Sequence, residues 1–243
     1  MSLRFKLMRS LLTLSFFAVV ASSQAAILTQ WNFNSTTSDA NTSTGTTAPA
    51  IGTGTASVVG GLTTSFASGD ASGGSTDPAV GDDSAWNTTT YAAQGTGDKT
   101  RGVQFLVSTV GQQNIVVSWD IRHSNTASRW TQFQYTTDGV NFVDFGAAID
   151  GPATGDSWNN TRTVDLSTVT AVNNNANFGF RVVSTFAPGG STYAGTTVAG
   201  TYATSGTMRY DMVTVNASPV PEPASMIALG AGLLALARRR RNG

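Results

Sequence analysis

The chain has 243 residues, no cysteine, a single histidine (His123) and a formal net charge of zero. Without cysteine there is no disulfide framework, thiolate nucleophile or Cys-ligated metal, and one histidine excludes a His-cluster metal centre or a two-His acid–base pair. The zero charge hides an asymmetry. Three basic residues (Arg4, Lys6, Arg9) stand at the start and four at the extreme end, so the body carries seven basic residues against thirteen aspartates, a net charge of −6. That surface repels phosphate backbones and excludes general nucleic-acid binding. Charged residues are 12% of the chain and glycines number 26, against a usual charged fraction of about 25%, which predicts many short strands joined by polar turns.

In chain order, the opening "MSLRFKLMRSLLTLSFFAVVASSQAA" has a basic start, an apolar run over residues 11–21 and small residues before Ala25. This is the pattern of a secretory signal peptide cut after Ala25, with the Sec machinery and signal peptidase as its partners. Eleven residues at about 1.5 Å each reach only about half of a hydrocarbon core of about 30 Å, so a retained anchor is disfavoured.

"ILTQWNF" reads as a first strand. Residues 34–83 then run through Ser, Thr, Gly and Ala, with "SVVGGLTTSF" suggesting two weak strands inside long loops. From Arg101 the alternation sharpens. Val103, Phe105 and Val107 alternate with polar neighbours, and Ile115, Val117, Trp119 and Ile121 alternate with Val116, Ser118, Asp120 and Arg122, the period of half-buried strands. "RWTQFQYTTDGVNFVDF" places an Asp138-Gly139 turn between two runs, a hairpin signal. "RTVDLS", "NFGFRVVSTF" and "MRYDMVTV" supply further strands, the last with Met208, Tyr210 and Met212 expected on one face and Arg209, Asp211 and Val213 on the other. Eight or more strands without helical periodicity predict an all-β fold, a two-sheet antiparallel sandwich of jelly-roll type in which the first and last strands pair. Trp31, Trp119, Phe133 and Phe180 are expected in its core.

The chain ends in "VPEPASMIALGAGLLALARRRRNG". Pro221 and Pro223 hold their predecessors extended and leave Glu222 accessible. The apolar run over 224–237 can span a thinned bilayer as a short transmembrane helix with snorkelling arginines. Arg238, Arg239, Arg240 and Arg241 keep the end in the cytoplasm. Val220, Pro221, Glu222 and Pro223, an apolar helix and an arginine cluster, in that order, resemble the PEP-CTERM sorting signal of Gram-negative bacteria. The resemblance implies that a membrane-embedded exosortase cuts near Pro-Glu-Pro, after transient anchoring in the inner membrane, and delivers the protein to the cell surface or matrix. The organisation expected is a signal peptide over 1–25, a sandwich over 26–217 and a sorting signal over 218–243.

The aromatic opening strand and the closing strand with an Asp before alternating Val resemble carbohydrate-binding modules and laminin-G-like jelly rolls of secreted bacterial proteins. The stretch "QNIVVSWDIRHSNTASRWTQFQYTTDGVNF" also resembles an uncharacterised domain of other exosortase-type surface proteins, found beside extracellular nuclease modules as well. No activity follows from that likeness.

Several residues are candidates for chemistry. His123, without a G-x-S-x-G elbow, reads as an exposed loop-edge residue whose replacement should be nearly silent. Most aspartates, among them Asp70, Asp77, Asp82, Asp83, Asp138 and Asp150, stand where a short carboxylate caps its own turn. Calcium needs only oxygen ligands from loops and strand ends; the jelly-roll resemblance implies Asp211 with Asn32 or Asn34, against a rival salt bridge from Asp211 to Arg209 or Arg181. Trp86, Tyr91, Trp130, Trp158, Tyr193 and Tyr202 occupy loops or polar-flanked positions where a ring can stack on a sugar, Trp130 and Trp158 best. The function expected is a non-enzymatic, exosortase-processed surface or matrix protein that binds or is embedded in exopolysaccharide. The alternatives are an extracellular hydrolase using aspartates, with or without calcium, and a purely structural surface component.

Overall fold

The computed structural model describes residues 24–197, 200–221 and 223–241. All but the last two residues of the expected signal peptide, and Glu222 of the sorting motif, lie outside the described residues. In chain order the strands are β1 (Ala26–Trp31), β2 (Thr55–Val59), β3 (Thr63–Ser68), β4 (Ser84–Thr89), β5 (Gly102–Leu106), β6 (Gln112–His123), β7 (Trp130–Thr136), β8 (Val143–Asp144), β9 (Ile149–Asp150), β10 (Ser157–Asp165), β11 (Gly179–Ser184) and β12 (Met208–Pro219), followed by the helix α1 (Pro223–Arg241).

Two six-stranded antiparallel sheets result. One runs β10-β6-β12-β4-β3, with β1 also on β12; the other runs β2-β5-β11-β7-β8, with β9 also on β7. First and last strands pair as expected, from Ala26 opposite Ala217 to Trp31 opposite Val213. The polar stretch after β1 does hold two strands, β2 and β3, but each joins a different sheet. The corner between them is Gly60-Gly61, both at positive φ, and a Cβ on Gly60 would meet the Thr100 carbonyl oxygen at 2.3 Å; only glycine fits there.

The inner faces meet in a continuous stack of rings. Trp31 lies 4.9 Å from Phe105, Phe105 4.9 Å from Phe180, Phe180 5.6 Å from Phe133, and Phe133 5.8 Å from Trp119. All five are buried, so the core expected from alternation is the core found. Each ring contributes about 1.5–3 kcal/mol by leaving water, with about 0.5–1.5 kcal/mol more from ring geometry.

Alternation fails at one decisive place. On β12 the register shifts after Asp211, where Met212 takes φ 45°. This bulge leaves Met212 half-exposed and brings Val213 into the core with Met208 and Tyr210, correcting the expectation that Met212 shares the face of Met208 and Tyr210 while Val213 shares that of Asp211. A second bulge, at Asn159–Arg162 on β10, has Thr161 at φ 55°. Between them lies Asp120 of β6, which accepts Thr161 N–H at 2.6 Å on one oxygen and both the N–H and the hydroxyl of Thr76 (2.6 and 2.7 Å) on the other.

Thr76 belongs to the 69–83 segment, which folds over the outer face of this sheet. Trp158 Nε1–H donates to the Ala71 carbonyl at 2.8 Å, Asn160 Nδ2 to that of Gly74 at 3.0 Å, and Arg209 Nη1 to that of Ser68 at 2.8 Å. That cover explains why Asp120, Arg122 and Asp211, on a face that alternation assigns to solvent, are buried.

Described by itself, α1 is 19 residues long and carries all four arginines in its last turn. Its apolar portion spans about 21 Å at 1.5 Å per residue, less than a hydrocarbon core of about 30 Å. Among the described residues no helix is long and apolar enough to cross a membrane.

Candidate functional site

The covered face holds the densest chemistry of the sandwich. Asp77, Asp83 and Asp211 each bring a carboxylate oxygen within 4.8 Å of the others, and their residues are 8%, 1% and 0% exposed. Two parts of the chain converge: the β12 bulge supplies Asp211, and the 69–83 segment supplies Asp77 and, at its end just before β4, Asp83. Asn34, just past β1, ties them together. Its Nδ2 donates to Asp77 Oδ2 at 2.9 Å while its Oδ1 accepts the Ser84 N–H at 2.7 Å. Asp77 Oδ1 accepts the Ala79 N–H at 2.8 Å, Asp83 Oδ2 accepts the Ser75 hydroxyl at 3.1 Å, and Asp211 Oδ1 accepts the Met212 N–H at 2.7 Å.

Two oxygens, Asp83 Oδ1 and Asp211 Oδ2, are buried without a hydrogen-bond partner. An uncompensated buried carboxylate costs several kcal/mol, and the titration of the group reflects this. Burial, with the charge of Asp77, pushes Asp83 up to about 6 against a hydrogen bond that Asp211, once protonated, shares with it; burial, the Asp83 charge and that shared bond push Asp211 well above the usual carboxylate range; burial also raises Asp77. Among the described residues the ion pairs are Lys99–Asp144, Arg122–Asp156 and Arg129–Asp150, so the alternative salt bridge from Asp211 to Arg209 or Arg181 is not made. Arg181 lies in the other sheet, bonded to Gln104 and over the Phe142 ring.

These residues fit a hard divalent cation. Carboxylate oxygens from two chain segments, two of them buried without a partner, are what calcium takes, and a cation offsets the cost of burying their charges together. Of the ligands expected from sequence, Asp211 is central and Asn34 orients Asp77, while Asn32 takes no part in these bonds. Asp77 and Asp83 were assigned to turn capping; Asp77 does cap, yet both point into the cluster. The available signal was an Asp inside an otherwise apolar closing strand, together with "TDP" and "DDSAW" immediately before another strand.

The expected sugar platforms divide between the sheets. Trp130 begins β7, half-buried, and the Arg129 guanidinium sits 5.8 Å from its ring centroid. Arg129 is clamped by Asp150, Nε to Oδ1 at 2.5 Å and Nη2 to Oδ2 at 2.7 Å. This bond holds the Asp150 carboxyl below its usual range, so Asp150 serves Arg129 and makes no turn cap. Trp130 and Arg129 line a groove of about 470 Å³ with Gln94, Tyr193 and Tyr202. Trp158 is on β10 of the other sheet, its indole N–H engaged by Ala71. No ring contact joins the two tryptophans among the described residues.

Four other rings are corrected. Trp86, Tyr91, Tyr193 and Tyr202 are buried, Trp86 stacked on Phe33 at 5.5 Å and Tyr193 on Tyr202 at 4.5 Å. Each hydroxyl finds a partner: Tyr91 with Thr88, Tyr193 with Gly97 and Tyr202 with Ala92. Trp86 is an inward position of β4, and the three tyrosines stand in loops folded against the core, which sequence patterning cannot distinguish from open ones. His123 is corrected too. It ends β6 at 1% exposure, its Nδ1 bonded to the Ser128 carbonyl at 2.8 Å, and burial pushes its pKa down to about 4. It is a neutral interior residue.

The sandwich and its tail together define a β-domain bearing a terminal sorting signal. The PEP-CTERM protein-sorting motif matches residues 219–241, about a tenth of the chain. No curated protein matches the sequence. Among solved structures, the CBM22-1–CBM22-2 tandem domain of Paenibacillus barcinonensis Xyn10C is similar over 84% of this chain and 48% of that one, at TM-score 0.50 and 13% identity. The CBM22-1 xylan-binding domain of the same protein aligns over 83% of this chain and all of its own, at TM-score 0.49 and 12% identity. The K2 cleaved adhesin domain of Lys-gingipain aligns over 80% of this chain and 99% of its own, at TM-score 0.38 and 15% identity. The likeness to the tandem extends to the fold, and this chain spans about half of the tandem's length.

Proposed function

We propose that the chain is exported by its leader, processed by an exosortase at the sorting motif, and displayed at the cell surface or in the matrix, where its sandwich binds exopolysaccharide without altering it. The sorting motif over residues 219–241 supports the export half. For the binding half, the observation that carries the reading is the Trp130 groove. A half-exposed ring flanked by a rigid guanidinium–carboxylate pair and an amide offers a stacking surface and directional polar groups together. With a body charge of −6, uncharged glycans suit it better than polyanions.

Calcium holds the sandwich in this reading. Asp77, Asp83 and Asp211 bind it, and it joins β12, β4 and the 69–83 cover as a structural ion. A hydrolase reading has carboxylates at a separation near that of retaining glycosidases, about 5 Å, but Asp83 and Asp211 are closed to any substrate by that cover.

The test is affinity electrophoresis of the full-length protein and of Trp130→Ala and Trp158→Ala in gels containing individual neutral polysaccharides. Retardation by at least one polymer, lost about tenfold or more in Trp130→Ala with its melting temperature unchanged, supports the reading. Retention indifferent to both replacements, or no retardation by any polymer, overturns the binding half.

A further inference from the structure

The sorting motif follows the sandwich without any spacer. The last residues of β12 are still paired with the start of β6 and the turn before it: Ser218 lies opposite Gln113, Pro219 opposite Gln112, and Val220 N–H donates to the Gly111 carbonyl at 2.9 Å. Gln113 Nε2 adds a bond to the Pro219 carbonyl at 3.3 Å. Val220 is the first residue of the Val-Pro-Glu-Pro signature, so the fold reaches into the motif itself. Among the described residues the strand beyond Ala217 has a partner on one side only, because β1 begins opposite that residue.

The turn that holds this strand end is itself anchored. Gln112 N–H closes it on the Thr109 carbonyl at 2.8 Å, Gly111 N–H donates to Asn174 Oδ1 at 2.8 Å, and Asn114 N–H donates to Asn173 Oδ1 at 3.1 Å. The Thr109 hydroxyl is buried against the Val172 carbonyl at 2.6 Å. Movement there requires breaking a network, whereas the end of β12 can peel away by losing a few exposed bonds. Strand ends are the low-stability part of a fold.

From this geometry we infer that processing is gated by the fold: the sorting protease gains the extended peptide it needs only when residues 218–220 unzip from residues 111–113. The inference rests on the exosortase reading above. Cleavage breaks one peptide C–N bond, leaving the acyl carbon on the sandwich side for water or an acceptor nucleophile and an ammonium on the helix side. The sandwich contributes the frequency with which that bond is presented. A folded, closed domain is therefore released slowly, and one whose last strand is frayed is released fast.

The experiment follows maturation of the full chain by pulse–chase in a host that carries the sorting protease, with the new terminus read by mass spectrometry. In one variant six Gly/Ser residues followed by a second Val are inserted between Val220 and Pro221, which restores an unbroken Val-Pro-Glu-Pro beyond the insert, frees it from the fold and leaves every strand pair intact. In a second, Pro219→Cys with Gln112→Cys places a disulfide across directly opposed residues of an antiparallel pair, a spacing that suits the bond, in a chain with no other cysteine. In the wild type the motif is presented only after a few hydrogen bonds break, each worth severalfold in an opening equilibrium, and the copy beyond the insert needs none of them broken, so the insertion should speed processing about tenfold. The oxidised cross-link should slow it at least as much, with recovery on adding a thiol reductant. Wild-type rates in both variants would overturn the gating while leaving the exosortase reading intact. Absence of processing in every variant, the insertion included, would overturn both.

Discussion

Calcium should decide whether this sandwich is stable at neutral pH, and the acidic cluster sets both the size and the pH range of the effect. Asp83 and Asp211 have folded-state pKa values raised above those of the unfolded chain. Without metal, their protonated forms stabilise the fold fully below about pH 4, and that contribution is lost as the pH rises through about 6 and beyond. Calcium would bind the ionised carboxylates and so stabilise where the protons have left. At a dissociation constant of about 0.1 mM, ordinary for extracellular modules, 10 mM calcium is a hundredfold excess and adds about 2.7 kcal/mol. For a domain of about 190 residues each kcal/mol moves the midpoint by about 2–4 °C, so the melting temperature at pH 7.5 should rise by about 5–10 °C, and by much less at pH 5. Asp211→Asn keeps the shape while removing one charge. The metal-free variant should be at least as stable as metal-free wild type at pH 7.5, and calcium should no longer raise its midpoint. Scanning calorimetry with and without calcium, with magnesium at equal ionic strength as the control, measures this. A wild-type midpoint that calcium moves by under 1 °C, or an equal shift in Asp211→Asn or with magnesium, would refute the reasoning.

His123 provides an opposite pH dependence. Its folded pKa is about 4 against an ordinary 6.5, so protons favour the unfolded chain and its stabilising effect fades as the pH falls from 6.5 to 4, by about 3 kcal/mol. Replacement by Ala should cost about 2–4 kcal/mol at pH 7.5, from the cavity and the orphaned Ser128 carbonyl; in urea titrations the gap to wild type should narrow towards pH 4, and a silent replacement would return His123 to the surface role first expected. Trp158→Phe keeps a ring but loses the bond to the Ala71 carbonyl, so it should lower the midpoint by about 2–4 °C and speed proteolytic nicking within 69–83. Unchanged nicking would mean that this bond does not hold the cover.

Much of this protein is local, and local features can be read along the chain. The alternation of Ile115, Val117, Trp119 and Ile121 reports one buried face because a strand turns successive side chains to opposite sides; the same logic placed Trp31, Phe133 and Phe180 in the core. The address at the C-terminus is likewise a contiguous string, with residue types and order that carry its meaning before any folding. Tertiary structure decided the rest. Asp77 and Asp83 look like turn caps, and Asp211 looks solvent-facing, until the 69–83 segment folds back over a sheet, and Met212 looks inward-facing until a bulge there shifts the alternation by one residue. His123 and the four buried rings differ from exposed ones only through segments brought against them by the fold, such as Phe33 on Trp86, Gln94 on Tyr193 and Gly151 beside His123. Period-two patterns describe how a strand meets its own sheet. What covers the outer face of that sheet is settled by long-range pairing, which no window of sequence contains.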